Sequence, residues 1–480
     1  MTDAATDFDL AVIGSGGGAF AAAIRATNLG KRVVMIERST VGGTCVNTGC
    51  IPSKALLAAA EARHVALDAH GRFPGISTSA GPVDMGELIN GKRSLVETMR
   101  SEKYVDLIGE YGWELREGNA AFAGTPQEPV LEVTGPDGTR SDVRAAHYLV
   151  ATGSSPWAPP VEGLEATDYL TSTTAMELEE VPESLLVFGG GYVALEQAQL
   201  FARLGSKVTM LVRSRLASAE EPEASRALMG VFADEGIRVV RRADVTSVRT
   251  DPGAAEVIAT ATVAGGQEEF RASKLLVATG RRAVTNGLNL DTVGVKTGDR
   301  GEILVQNTLV SSNPRIWAAG DVTGHREFVY VAAAHGSIMV ENAFNDAGSE
   351  VDYRHLPRVT FTSPALAAVG MTDKEARGAG IRCECRVLPL EYVPRALVNR
   401  DTRGFIKIVA DTSTGRIVGI TAVGKEAGDL AAAGVYILEA GMTVDQVANL
   451  WSPYLTMAEG IKIAAQSFKT DVSKLSCCAS

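Results

Sequence analysis

No run in the 480-residue sequence reaches the roughly 18 uninterrupted apolar residues that a membrane-crossing helix needs. The opening residues, MTDAATDFDL, also lack the basic stretch and apolar core of a secretory leader. These absences predict a soluble, cytoplasmic protein. Positive charge is in short supply: 46 Lys and Arg stand against 57 Asp and Glu, a formal net charge of −11, with the two signs interspersed. Such a chain offers no basic stripe to a phosphate backbone or an anionic membrane, which excludes nucleic acid as a partner. Cysteine is scarce too. Six residues do not make a disulfide scaffold and read instead as redox groups, metal ligands or core residues. They nevertheless fall into three close pairs: Cys45 and Cys50, Cys383 and Cys385, Cys477 and Cys478.

Apolar residues and glycine are plentiful, at 45% and 50 residues, and the length suits about two to four domains. The largest organising signal is an internal repeat. DLAVIGSGGGAFAAAIRATNLGKRVVMIER lies over SLLVFGGGYVALEQAQLFARLGSKVTMLVR, so that Gly14, Gly16 and Ala19 fall on Gly189, Gly191 and Ala194. Each copy is an apolar run, a glycine-rich turn, a helical stretch and a second apolar run, the pattern of a βαβ unit. The first glycine permits the tight turn, the second lets backbone approach a pyrophosphate, and the helix N-terminus supplies free N–H groups. Two such copies predict two dinucleotide sites.

The second strands end differently. Glu37 closes VVMIE and suits the two hydroxyls of an adenosine ribose. Its counterpart is Val212, followed by Arg213 and Arg215, which leaves no carboxylate to repel a 2′-phosphate and offers guanidinium groups to bind one. The first site therefore suits FAD and the second NADPH, with a solvated surface arginine as the plainer reading of Arg213. YLVATGSSP and LLVATGRRA run apolar strands into Thr152 and Gly153 and into Gly280, and RIWAAGDV runs into Gly320 and Asp321; strand ends of this kind commonly touch ligand. The predicted fold class is α/β, with two Rossmann-like dinucleotide-binding domains and a C-terminal α+β domain suggested by GFIKIVA and GRIVGITAV. The expected boundaries are 1–154 for the first part of the FAD domain, 155–280 for the NADPH domain, 281–352 for the return to the FAD domain, and 353–480 for the C-terminal domain.

Between the first βαβ unit and a helical run lies GGTCVNTGCIPSK. Residues five apart on a regular helix are separated by about 7.5 Å of rise, whereas a disulfide needs Cα atoms roughly 4.4 to 6.8 Å apart. Cys45 and Cys50 therefore meet only if Asn47 to Gly49 distort the turn. A cysteine at a helix start is easily ionised, and the thiolate is the reactive form, so the pair is expected to be redox-active.

GGTCVNTGCIPSK, the two nucleotide fingerprints and AAGDV together resemble the flavoprotein disulfide reductases over essentially the whole chain. The resemblance implies a homodimer in which NADPH reduces FAD and FAD reduces a Cys45–Cys50 disulfide, with Cys50 nearer the flavin and Cys45 exchanging with substrate. It implies that Lys54 and Glu196 form the charged pair beside flavin and nicotinamide, and adds Thr44 to the flavin contacts. One absence sets this chain apart. Members that reduce disulfides carry His-Pro near the C-terminus, the histidine serving the leaving thiol as acid and base; here NLWSPYLTMAEG has Ser452 before Pro453, and His355 is the last histidine. A metal ion as substrate needs no such proton.

The terminal LSCCAS then acquires a use. Adjacent cysteines close a disulfide only in a strained ring, but as thiolates both Cys477 and Cys478 can approach one soft cation and pass it to Cys45 and Cys50. Mercury(II), content with two sulfur ligands, fits best. VPRALVNRDTR, GFIKIV, PYLTMAEG and LSCCA resemble the mercuric-ion-reducing branch of the family. That likeness implies delivery by the tail of one subunit to the other, with Tyr192 and Tyr454 lining the metal site; a nicotinamide-pocket lid and a core aromatic are the plainer readings of the two tyrosines. Gly14 lies 13 residues from the first residue, so an N-terminal metal-binding domain is expected to be lacking. Cys383 and Cys385 share one face if their stretch is a strand; two such thiols could hold a metal, but incidental strand residues are the favoured reading. The rival functions are reduction of a small disulfide of glutathione or lipoamide type, and metal sequestration without catalysis.

Overall fold

The computed structural model describes residues 7–474. They group into two compact units, one built from the chain up to Ala55 with Gly86–Trp157 and Gly280–Val351, the other from Leu56–Met85, Ala158–Thr279 and Asp352 onward.

The core of the first unit is a parallel sheet in the order Ile316–Ala318, Ala145–Val150, Phe8–Ile13, Val33–Glu37, Glu114–Glu117. Leu10, Val12, Val33 and Met35 join one apolar cluster while the alternating Ala11, Ile13, Val34 and Ile36 join another. Both faces are covered, so these strands read as continuous apolar runs instead of alternating ones. The helix Gly17–Asn28 turns Ala19, Ala22, Ala23 and Ala26 inward. A three-stranded antiparallel sheet, Asn119–Gly124, Pro129–Thr134 and Arg140–Val143, completes the unit.

In the second unit the other copy of the repeat forms the strand Ser184–Phe188, the helix Tyr192–Leu204 and the strand Lys207–Val212. They belong to a parallel sheet ordered Arg238–Arg241, Lys207–Val212, Ser184–Phe188, Lys274–Val277. The C-terminal part is a five-stranded antiparallel sheet, Arg358–Thr360, Ala365–Gly370, Ile417–Gly424, Phe405–Asp411, Cys383–Pro389, whose apolar side packs with helices Ala427–Glu439 and Glu459–Gln466. GFIKIVA and GRIVGITAV are the Phe405–Asp411 and Ile417–Gly424 strands, as their alternation predicts. Among the described residues no helix is long and apolar enough to cross a membrane.

Candidate active site

The strand Phe8–Ile13 delivers the chain to Gly14 at φ 100°, where a Cβ would stand 2.6 Å from the Ala151 carbonyl oxygen. Only glycine fits that turn. The following helix has Gly16 as N-cap, with no side-chain cap and no acidic residue in its first turn, so its leading N–H groups remain available to an anion. Beside it opens a cavity of about 580 Å³ whose lining includes Gly14, Ser15, Gly16, Glu37, Thr44, Thr152 and Gly153. The Glu37 carboxylate is oriented by three donors: the Ser15 hydroxyl at 2.6 Å on one oxygen, and the Ser39 N–H at 2.9 Å and hydroxyl at 3.1 Å on the other. A glycine-walled cradle, an uncapped helix N-terminus and a carboxylate at the next strand end are a fit for a dinucleotide.

Four other expected cofactor residues fall outside this lining. Ala19 is fully buried in the core of its helix, where its small side chain permits close packing. Asp321 accepts from the Ser154 hydroxyl at 2.7 Å, and that hydroxyl accepts from Arg281 at 2.7 Å. Gly280 is exposed, and Lys54 lies in the helix Cys50–Arg72.

The redox segment folds as the spacing requires. A short helix, Gly43–Asn47, ends before Thr48 at φ −139°, and a new helix begins at Cys50. Asn47 stabilises the break by donating from its side-chain amide to the carbonyls of Val41 and Gly43, both at 3.0 Å. A Cβ on Gly43 would stand 2.5 Å from the Gly16 Cα, so glycine here lets the redox segment lie directly on the dinucleotide turn. Thr44, Asn47 and Thr48, the residues around Cys45, line the cavity.

Cys45 and Cys50 are half-buried free thiols in side-chain hydrogen-bonding contact. The Cys45 thiol is pushed well above the ordinary range by that hydrogen bond first, then by burial and by the charge of Cys50; the Lys54 ammonium and the Cys50 N–H act the other way. The Lys54 ammonium and the helix start at Cys50 are placed to favour a thiolate in this pair. Tyr104, which the sequence did not single out, belongs to this surrounding. Its hydroxyl is pushed above its usual value by burial first and then by the charges of Cys45 and Cys50, and its ring meets Phe20 edge-on at 4.8 Å. No local motif marks a residue so distant along the chain.

In the second unit Gly191 caps the helix Tyr192–Leu204 without a side-chain cap or an acidic first turn, and nothing stands near the place a Cβ would occupy. Gly189, at φ 127°, makes the turn, Ala194 is fully buried, and Val212 ends the next strand with no carboxylate. That arrangement fits a second dinucleotide. Arg213 is exposed. Arg215 is occupied in this conformation, donating to the carbonyls of Ser218 at 2.9 Å, Glu220 at 2.6 Å and Glu221 at 3.3 Å. Tyr192, the first residue of the helix, is exposed; one turn on, Glu196 is buried and accepts from the Phe361 N–H at 2.9 Å.

Tyr454 is exposed, on the segment that also holds Ser452 and Pro453. Its neighbour Leu455 adopts φ 62°, costly for a branched side chain, and the buried Glu459 accepts its N–H at 3.3 Å. Cys477 and Cys478 lie outside the described residues.

This constellation, two glycine-walled cradles and a cysteine pair laid against one of them, defines a class. Residues 8–336 match the model for pyridine nucleotide-disulphide oxidoreductases and residues 356–465 match the dimerisation domain of the same group, and the chain belongs to this family. Within it, the chain is 58% identical over 479 residues to a Streptomyces lividans protein named mercuric reductase, covering 100% of both chains. It is 44% identical over 474 residues to a mercuric reductase of Staphylococcus aureus, covering 98% of this chain and 84% of the other. Among solved structures, LpdA from Mycobacterium tuberculosis superposes with a TM-score of 0.86 at 26% identity, covering 96% of this chain and 100% of that one. A Cu(II) complex of the flavoprotein disulfide reductase RclA from Escherichia coli gives 0.85 at 26% identity, covering 97% and 100%.

Proposed function

We propose that this chain is an NADPH-dependent reductase of Hg(II), yielding elemental mercury. The observation that carries the reading is its 58% identity, from end to end, to a protein named mercuric reductase. Two features of the chain support it: a thiol pair set against a dinucleotide cavity, and serine where a disulfide reductase needs histidine.

When bound, NADPH in the second cradle would supply the two electrons and FAD in the first would pass them on. Gly14, Gly16 and the open helix N-terminus hold the flavin's pyrophosphate, with Glu37 on the ribose and Thr44, Thr152, Gly153 and Asp321 around the remainder; Gly189, Gly191 and Ala194 shape the second site, and Arg213 takes the 2′-phosphate. Gly280 contributes a strand end, and Arg215 orders the loop that presents Arg213. Lys54 keeps negative charge on the cysteine pair, and Glu196 is its acidic counterpart beside the nicotinamide.

Cys45 and Cys50 bind Hg(II) as thiolates, and Tyr192 and Tyr454 line the site. The metal exchanges its external thiolates for the cysteine pair, takes up two electrons and leaves as Hg(0), returning the cysteine thiolates; no substrate S–S bond is cleaved, so no acid is needed where Ser452 stands. Cys477 and Cys478 deliver the ion to the partner subunit of a homodimer, whose contact surface includes the fully exposed Trp451 and the exposed Tyr436 of the dimerisation domain. We assign the enzyme to the cytoplasm, where reducing thiols keep its cysteines available.

The test is NADPH oxidation by flavin-loaded protein with Hg(II) in excess thiol, alongside glutathione disulfide and lipoamide. Hg(II)-dependent oxidation with release of volatile mercury is expected, and Cys50→Ser should lower it roughly a thousandfold or more. Oxidation with a disulfide alone would make the chain a disulfide reductase. Full turnover of Cys477→Ala/Cys478→Ala protein on thiol-complexed Hg(II) would remove the delivery role.

A further inference from the structure

The remaining cysteine pair lies far along the chain from the redox segment. Cys383 opens the strand Cys383–Pro389, at the end of the five-stranded antiparallel sheet, and Cys385 follows on the same face. What the sequence did not show is the third group. Asp373, the first residue of the short helix Asp373–Gly378, brings its carboxylate to them, so that one oxygen and both sulfurs all lie within 4.8 Å of one another. The Cys383 thiol points at that carboxylate, 3.4 Å away. All three residues are partly exposed, which leaves a path for an ion.

We propose that Asp373, Cys383 and Cys385 form an ancillary site for a thiophilic divalent cation of the Zn(II), Cd(II) or Hg(II) class, separate from the reducing centre. Alternate residues on a strand have Cα atoms about 6.6 to 6.8 Å apart, at the outer limit for a disulfide. A bridging metal suits that spacing better: two metal–sulfur bonds of about 2.3 Å place sulfurs up to about 4.6 Å apart.

The surroundings define how the site loads. Burial first, then the charges of Asp373 and Cys383, push the Cys385 thiol up to about 12. Binding M²⁺ forms two metal–sulfur bonds, breaks two S–H bonds and releases two protons to solvent, with no change of oxidation state. Arg377 donates to the Asp373 carboxylate at 2.5 and 3.3 Å and is the cation the metal must compete with. Lys407, anchored on Glu221 at 2.9 Å and Glu223 at 3.3 Å, favours ionisation of Cys385. No flavin or nicotinamide residue takes part, so the site retains metal without reducing it.

The experiment titrates Cd(II) into flavin-loaded full-length protein carrying Cys45→Ala, Cys50→Ala, Cys477→Ala and Cys478→Ala, in which only this pair remains. One equivalent is expected to raise thiolate-to-cadmium absorption and release two protons. Adding Cys383→Ser should weaken binding at least about a hundredfold, and Asp373→Asn roughly tenfold. A second measurement uses the otherwise native chain, in which Cd(II) should protect Cys383 and Cys385 from alkylation. In that background Cys383→Ser/Cys385→Ser should leave Hg(II)-dependent NADPH turnover unchanged. Absorption that does not saturate at one equivalent, persists after Cys383→Ser, or leaves both thiols open to alkylation would overturn the site.

Discussion

The two copies of the glycine-rich repeat solve one mechanical problem identically and one chemical problem differently. Gly14 and Gly189 both adopt positive φ, at 100° and 127°, and in both places a Cβ would strike a carbonyl of the neighbouring strand's end, Ala151 at 2.6 Å and Ala278 at 2.3 Å. Neither following helix has a side-chain cap. The copies part at the end of the second strand. In one, Glu37 is held by Ser15 and Ser39; in the other, Val212 is followed by an exposed Arg213, while Arg215 clamps its own loop. The backbone turn is shared, and the chemical difference between the two cradles rests on a few side chains.

The strongest way to break the comparison is to fill one cradle at a time. Gly14→Val is expected to yield protein with about a hundredfold weaker flavin binding, whereas Gly189→Val keeps its flavin and raises the KM for NADPH at least about tenfold. Flavin absorbance per chain and NADPH saturation curves read the two effects. Full flavin content in the Gly14→Val protein would mean the turns are not equivalent.

Next in size is the strand end. Val212→Glu places a carboxylate against the 2′-phosphate and should lower kcat/KM for NADPH about ten- to a hundredfold while sparing NADH; Arg213→Ala should cost about five- to tenfold by the same measure. Equal losses with both nucleotides would point to loop damage instead.

A smaller effect concerns the cysteine pair, which follows only the first copy. Because Lys54 lowers the Cys45 pKa, Lys54→Met should move the pH profile of Cys45 alkylation in reduced protein to higher pH. An unmoved profile would show that Lys54 does not sense the pair.

The smallest is a buttress peculiar to the first unit. His335 is fully buried, its Nδ1 accepts the Gly320 N–H at 3.1 Å, and burial, followed by the charge of His325, lowers its pKa from 6.5 to about 4. The fold favours the neutral ring. Its contribution is therefore complete above pH 6.5 and is lost as pH falls through about 4. Thermal unfolding between those limits should show a declining Tm, with a shallower decline in His335→Leu.

The cradles were legible because their signal is local: glycines at fixed offsets between apolar runs force one turn, whatever surrounds them. The break between Cys45 and Cys50 was legible for a similar reason, since five residues of unbroken helix would hold the thiols apart and Asn47 to Gly49 is the only place to relieve it. Tyr104, His335 and Asp373 were not legible. Tyr104 lies far along the chain from Cys45 and Cys50, whereas His335 and Asp373 meet Gly320 and Cys383 only 15 and 10 residues away, but in no case does periodicity or composition carry the pairing. The arginine pair falls between: both residues were visible, but which one is already occupied by backbone carbonyls was not.

By itself, then, the sequence determined the two nucleotide turns, the spacing of the redox thiols, the absence of an acid/base histidine before Pro453 and the residues at each strand end, because all depend on covalent neighbours. Tertiary structure alone decided that Asn47 and Gly43 seat the thiols on the first cradle, that Arg215 is engaged and Arg213 exposed, and that Asp373 joins Cys383 and Cys385. Those outcomes are set by how the chain packs, over short separations for Asn47, Arg215 and Asp373 and between separate segments for Gly43 on Gly16, where burial and close approach select the partner.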